Sequence, residues 1–216
     1  MIRIVALYGS PRRNGNTSTL MRRAVDGARE AGASVDEIQL RDLKISPCLE
    51  IYGCKTSGRC IIKDEFHEVL DKVTACDAIM LSSPIFFYTV SSHTKIFMDR
   101  CQSQWVRRYW LEKIQKPAGP MGKKGLFISV GATRGKKLFD GALLTVRYFL
   151  NALDTGLWKS LLYRGLDAES DAMQHPEYLD EAYAAGRELV ELVSGTIDSS
   201  GMLEGGSSGG SKRSGS

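Results

Sequence analysis

Ile2-Arg3-Ile4-Val5-Ala6-Leu7-Tyr8 runs directly into Gly9-Ser10-Pro11-Arg12-Arg13-Asn14-Gly15-Asn16-Thr17-Ser18. The first stretch is apolar at every position but one, as in a strand covered on both faces. After the second, Leu20, Met21, Ala24, Val25 and Ala28 recur at helical spacing. The turn between strand and helix is rich in small groups, hydroxyls, amides and arginine. The first N–H groups of a helix lack intrahelical acceptors and carry the positive end of its dipole, so an anion supplies acceptors and charge together. Gly9 and Gly15 permit a tight curl. Ser10, Asn16, Thr17 and Ser18 offer side-chain donors, and Arg12 a planar charged fork. The stretch predicts a phosphate held on a helix N-terminus. The alternative is an ordinary strand-to-helix turn with Asn16 or Thr17 as N-cap.

Spacing narrows the ligand. From Gly9 to Gly15 is one residue too long for a Walker A loop, and Asn16 stands where its lysine belongs. No G-x-G-x-x-G fingerprint of a dinucleotide site is present. The turn has no cysteine, which argues against a thiolate phosphatase. A lone phosphomonoester remains, with FMN the leading candidate.

Further along, the pattern predicts strands over Ser34–Leu40, Ala78–Ser82, Gly125–Val130 and Leu157–Tyr163. Helices are predicted over about 64–74, 92–101, 138–153 and 176–194. Strands alternating with helices imply a parallel sheet with right-handed crossovers. Five such units suit an α/β flavodoxin-like three-layer sandwich with strand order 2-1-3-4-5. Ligands then bind beyond the carboxyl ends of strands one and three. That rule sets the turn at Ser10 beside Ser83-Pro84-Ile85-Phe86-Phe87-Tyr88, whose proline and aromatics offer an apolar wall; core aromatics at a strand end are the other reading. Gly131, at the end of strand four, would let backbone pass close to a bound ring.

Composition bounds the rest. The chain has 216 residues, 43% hydrophobic and 25% charged, enough for one sizeable domain, taken as residues 1–198. No apolar run approaches the roughly 18 residues of a membrane span, and the N-terminus lacks a signal-peptide pattern. A cytoplasmic location without membrane attachment is expected. A net charge of +4 without a basic stripe gives no nucleic-acid footprint, but favours anionic ligands. Five cysteines, an odd number, argue for thiols, metal or redox use rather than a disulfide framework. Residues 199–216 have the composition of a flexible Gly/Ser-rich fusion linker.

The turn Gly9–Ser18 resembles the phosphate loop of the flavodoxin-like NAD(P)H-dependent FMN reductase family, nearest the branch that includes the iron–sulfur flavoproteins. Val90-Ser91-Ser92-His93-Thr94-Lys95-Ile96-Phe97-Met98-Asp99-Arg100 is similar to the family's V-S-x-x-x-K-x-F-x-D-R. The stretch Ser129–Gly135 resembles it more loosely. The likeness runs from about Ile2 to Val193. It implies an FMN-dependent oxidoreductase, with NAD(P)H as transient electron donor and a quinone, flavin, nitro or azo compound, or metal as acceptor. It also implies a homodimer or homotetramer. Ser10, Arg12, Asn16, Thr17 and Ser18 would hold the phosphate; Pro84, Ile85, Phe86, Phe87 and Gly131 would line the ring. The flavin carries the chemistry, so no catalytic residue is assigned. The rival is a flavin electron carrier, with or without an iron–sulfur cluster, that has no NAD(P)H activity of its own.

Iron–sulfur flavoproteins carry a run resembling C-x2-C-x2-C-x5-C. Here it reads Cys48, Ile51, Cys54, Cys60. Clusters are normally held by four thiolates. With Ile51 in place of one, a [4Fe-4S] cluster is not expected, and Cys48, Cys54 and Cys60 read as loop thiols. A structural zinc site needs four ligands too, and His67 is a candidate fourth for it but falls within an amphipathic helix. Cys76 and Cys101 read as core thiols. Trp105, among Arg107, Arg108, Tyr109 and Trp110, would edge the active site or a subunit contact.

Overall fold

A computed structural model describes residues 1–114 and 122–195. The elements, in chain order, are β1 (Arg3–Tyr8), α1 (Asn16–Glu30), β2 (Ser34–Gln39), α2 (Cys54–Ser57), α3 (Phe66–Ala75), β3 (Ala78–Pro84), α4 (Ser92–Arg100) and α5 (Gln102–Val106), then β4 (Lys123–Gly131), α6 (Asp140–Ala152), β5 (Thr155–Arg164) and α7 (Pro176–Ser194). The strands form one parallel sheet in the order β2-β1-β3-β4-β5. This is the flavodoxin-like arrangement expected from the alternation of elements.

The two-residue period of the strands divides the core. Ile4, Ala6 and Tyr8 join Met80, Ile128 and Tyr163 under α1 and α7. Val5 and Leu7 join Ile79, Leu81 and Phe127 under α3, α4 and α6. Each fully buried aliphatic side chain contributes about 1.5–3 kcal/mol, so a one-residue slip of any strand would reverse both faces. Helices α1 and α7 approach closely. A Cβ on Gly186 would lie 1.9 Å from the Ala24 carbonyl oxygen, and one on Gly27 would lie 2.1 Å from that of Tyr183.

Register levels the carboxyl ends. Tyr8 pairs with Ser82, Pro84 with Val130, and Gly131 with Arg164. The turns after β1, β3, β4 and β5 therefore meet along one edge. Ser91 fastens two of them. Its Oγ caps α4 by accepting from the Thr94 N–H at 3.3 Å and donates to the Gly9 carbonyl. Gly9 itself has no room for a side chain: a Cβ there would meet Thr94 Oγ1 at 1.9 Å. Its glycine answers this packing rather than a phosphate.

Several boundaries differ from the sequence expectation. β5 extends at both ends to Thr155–Arg164. β2 stops at Gln39, followed by a 3-10 turn over Leu40–Asp42. The connection after Cys101 contains α5 and a π-helical turn, Arg107–Leu111. Trp105 packs there at a tilt against Tyr109 and edge-on against Trp110, each at 5.5 Å between ring centroids. The exposed Trp110 and half-buried Tyr109 on that turn conceal the apolar periodicity that signals a helix. The tail at 199–216 lies outside the described residues.

Candidate functional site

A cleft of about 210 Å³ opens where the turns after β1, β3, β4 and β5 meet. Ser10, Arg12, Asn16 and Thr17 line it from the first turn, Pro84, Ile85 and Phe86 from the second, and Gly131 from the third. α1 starts here on Gly15, with no side-chain cap and no acidic residue in its first turn. The capping alternative, with Asn16 or Thr17 as N-cap, is thereby corrected. Asn16, Thr17 and Ser18 are buried, and N–H groups of a first helical turn have no intrahelical acceptors. The positive end of a 15-residue helix thus faces the cleft with no acidic residue in its own first turn.

The side chains divide into two jobs. Asn16 Nδ2 donates to the Ala168 carbonyl at 2.8 Å, and its Oδ1 accepts from the Ala172 N–H at 2.9 Å. Ser18 Oγ donates to the Arg12 carbonyl at 3.0 Å and lies off the cleft wall. Both shape the turn. The groups free to meet an anion are the backbone N–H donors, the Ser10 and Thr17 hydroxyls and the Arg12 guanidinium, whose contact with the Asp167 carbonyl is long at 3.4 Å. Ser10 Oγ accepts from the Arg12 N–H at 3.1 Å and keeps its own proton to donate.

On the apolar side, Pro84, Ile85 and Phe86 form the wall, but Phe87 does not. A tight turn closed by paired Phe86–Thr89 backbone bonds places Phe87 and Tyr88 at φ of 48° and 61° and leaves Phe87 98% exposed. Gly131 is on the wall, yet a Cβ there would point at Leu138 Cδ2, 2.6 Å away, so its lack of a side chain serves that packing. Leu166 and Asp167, after β5, complete the cleft. Sequence reasoning missed them, since no motif marks a turn that is relevant only because the sheet brings β5 to this edge. Trp105 lines a separate recess with Lys95, Met98 and Tyr148.

A model of the NADPH-dependent FMN reductase family matches residues 2–156. The chain belongs to that family. An iron–sulfur flavoprotein from Methanocaldococcus jannaschii is 38% identical over 99 residues, covering 46% of this chain and 51% of the relative. Another from Archaeoglobus fulgidus is 31% identical over 152 residues, covering 69% and 73%. The matched stretch spans about half the length of the first of these relatives. Among solved structures, a flavone reductase superposes with a TM-score of 0.65 at 20% identity, covering 89% of this chain and 63% of that one. An NAD(P)H:quinone oxidoreductase from Methanothermobacter marburgensis gives 0.65 at 16%, covering 87% and 96%. At these identities the likeness to solved structures is one of fold.

This member of the FMN reductase family has a second concavity. Cys48, Cys54 and Cys60 line a cavity of about 480 Å³ together with Glu50, Tyr52 and Arg100. Ile51 is 55% exposed and absent from its wall. His67 is also off the wall, with Nε2 3.0 Å from the Ile62 carbonyl oxygen. Cys76 and Cys101 are buried. Burial pushes the Cys54 thiol up, and neighbouring Cys60 and Cys48 add to this against a local backbone hydrogen bond. The Arg100 side chain is fully buried and spends all five donors on this segment. Nε donates to Cys60 Sγ at 3.2 Å, Nη1 to the Ser46 carbonyl and Asp64 Oδ2, and Nη2 to the Ile62 carbonyl and Asp64 Oδ1. Among the described residues, no helix is long and apolar enough to cross a membrane.

Proposed function

We propose that the chain is an FMN-dependent oxidoreductase that takes electrons from NAD(P)H and passes them to a small-molecule acceptor such as a quinone, a free flavin or a nitro or azo compound. The observation that carries this reading is the uncapped, buried N-terminus of α1 opening on a cleft with an apolar opposite wall. Family membership supports it. The residues present fit a flavin phosphate: backbone N–H donors of 16–18, the Ser10 and Thr17 hydroxyls and Arg12 supply hydrogen bonds and charge. Pro84, Ile85 and Phe86 supply an apolar surface for a ring. FMN would accept a hydride and deliver electrons onward. The protein's part is to bind, orient and keep water from the apolar wall. The same reading treats residues 1–198 as one flavin-binding domain, 199–216 as an appended linker, and the working form as a cytoplasmic homodimer or homotetramer.

Titration with FMN tests the site. Arg12→Ala removes a charge-assisted contact of about 1.5–3 kcal/mol, so the FMN Kd should rise about ten- to hundredfold. Wild-type affinity in that variant would defeat the phosphate assignment. The names of the iron–sulfur flavoprotein relatives favour a second reading, a flavin electron carrier. Steady oxidation of NADH or NADPH with a soluble quinone supports the enzyme. Reduction only by a ferredoxin-like donor supports the carrier.

A further inference from the structure

Phe87 is 98% exposed and sits with Tyr88 at φ of 48° and 61°, a left-handed conformation that residues with large side chains rarely take. Backbone strain of this kind gathers at functional sites. The paired Phe86–Thr89 bonds hold the backbone of the turn, but no side chain of the same chain covers Phe87. The turn rests on the start of α6, where a Cβ on Gly141 would lie 2.5 Å from the Tyr88 carbonyl oxygen and Thr89 Oγ1 lies 3.4 Å from Thr145 Oγ1. Leu144 and Tyr148 follow one helical turn apart, both exposed, on the face of α6 opposite its buried Ala142, Val146 and Phe149. Tyr148 is also one wall of a recess of about 270 Å³, whose other walls include Met98, Trp105, Thr145 and Phe149. Knob, helix face and hole thus form one continuous surface.

The size of that surface suits a second copy of the chain. Phe86, Phe87, Tyr88, Leu144 and Tyr148 are each about half-exposed or more. At about 150–250 Å² for a whole aromatic side chain, they present roughly 600–700 Å² together. The largest apolar patch of a typical monomer is about 300–600 Å², whereas each partner of a standard interface buries about 800 Å². The hole has room for the knob, since a cavity of about 150 Å³ already admits a benzene ring and the recess holds about 270 Å³. Charge does not oppose self-contact: Lys95 and Asp99 on the recess wall pair with each other at 2.7 Å. A twofold axis sets each copy's knob opposite the other's hole, so one face of one chain supplies both halves of the contact. A different protein would have to supply both shapes anew.

We propose that this face joins two copies of the chain, with Phe87 of each copy seated in the recess of the other. Phe86 lines the flavin cleft and Phe87 is its neighbour, so the partner's recess abuts the mouth of each cleft. This contact rests on the homo-oligomer of the proposed function and not on its flavin.

Sedimentation equilibrium of the full chain tests it. At micromolar concentration wild type should have the mass of two chains, or of four where pairs associate again. Phe87→Ala removes a side chain that has no cover within its own chain, so far-UV circular dichroism should be unchanged. The dissociation constant of the pair should rise about thirtyfold or more, as for an interface anchor. A photoreactive benzoylphenylalanine at position 87, in a mixture of isotope-labelled and unlabelled chains, should crosslink between chains to peptides that contain Met98, Trp105 or Tyr148. A wild type that sediments as single chains would overturn the contact, and FMN titration of the same sample shows separately whether the flavin site stands. Association of Phe87→Ala at wild-type strength, or crosslinks that fall outside the recess, would overturn it as well.

Discussion

Replacing Arg100 by alanine removes a buried side chain that ties the segment from Ser46 to Asp64 to the end of α4. The segment has little secondary structure of its own beyond the single turn of α2. Five donors of a guanidinium that is 0% exposed fasten it. Without them, Asp64 loses its partner and two carbonyls lose a donor. Breaking a buried ion pair costs about 3–5 kcal/mol. Asp64 is 13% exposed, so water reaches it and the lower end, about 3 kcal/mol, applies. In a chain of this size 1 kcal/mol moves Tm by about 2–4 °C, which gives a fall of about 6–12 °C in a thermal melt at pH 7. Arg100→Lys keeps the charge but has three donors and no fork, and should fall between. Acid closes the gap. Burial pushes the Asp64 carboxyl up, but Arg100 and the N–H groups of Ser46 and Phe66 outweigh it and hold the group below its ordinary range. A lowered folded pKa stabilises above the unfolded value of about 3.9 and is lost as pH falls through the folded value. The difference between wild type and Arg100→Ala should therefore be full at neutral pH and shrink below about pH 4. A Tm change of less than about 2 °C at pH 7, or a gap that does not narrow in acid, would refute the argument.

Two further variants examine the frame around the cleft. Gly186→Ala puts a methyl group 1.9 Å from the Ala24 carbonyl and must push α7 off α1. Overpacking of about 1–3 kcal/mol or more outweighs the roughly 1 kcal/mol gain in helix propensity, so the urea midpoint should fall; an unchanged midpoint would mean the helices part freely. Asn16→Ala cuts both bonds to residues 168 and 172 and should cost about 1–3 kcal/mol. Faster hydrogen exchange over residues 166–172 and weaker FMN binding are expected together, and slow exchange there would show that the strap is held by other means.

Much of this was legible in the chain. A run of apolar residues from Ile4 to Tyr8, a polar turn with two glycines, and helical spacing after it specify a strand, a turn and a helix. Hydrophobic period is a local property, and right-handed crossover leaves few ways to join five such units. What the sequence by itself determined was therefore the sheet order and the edge on which the turns after β1 and β3 meet. Tertiary structure decided what each polar atom there does. Asn16 and Ser18 carry donors suited to phosphate, but Asn16 meets carbonyl and N–H partners more than 150 residues away, and Ser18 meets Arg12. Phe87 reads as a ring wall until two left-handed residues turn it to solvent. Glu50 attracts no notice beside three cysteines until the backbone on either side of Ile51 brings it onto their cavity. Residue type states which hydrogen bonds or ligand bonds an atom is able to make. Only the packed chain fixes which are already taken, because the competing partners arrive through contacts that no local pattern encodes.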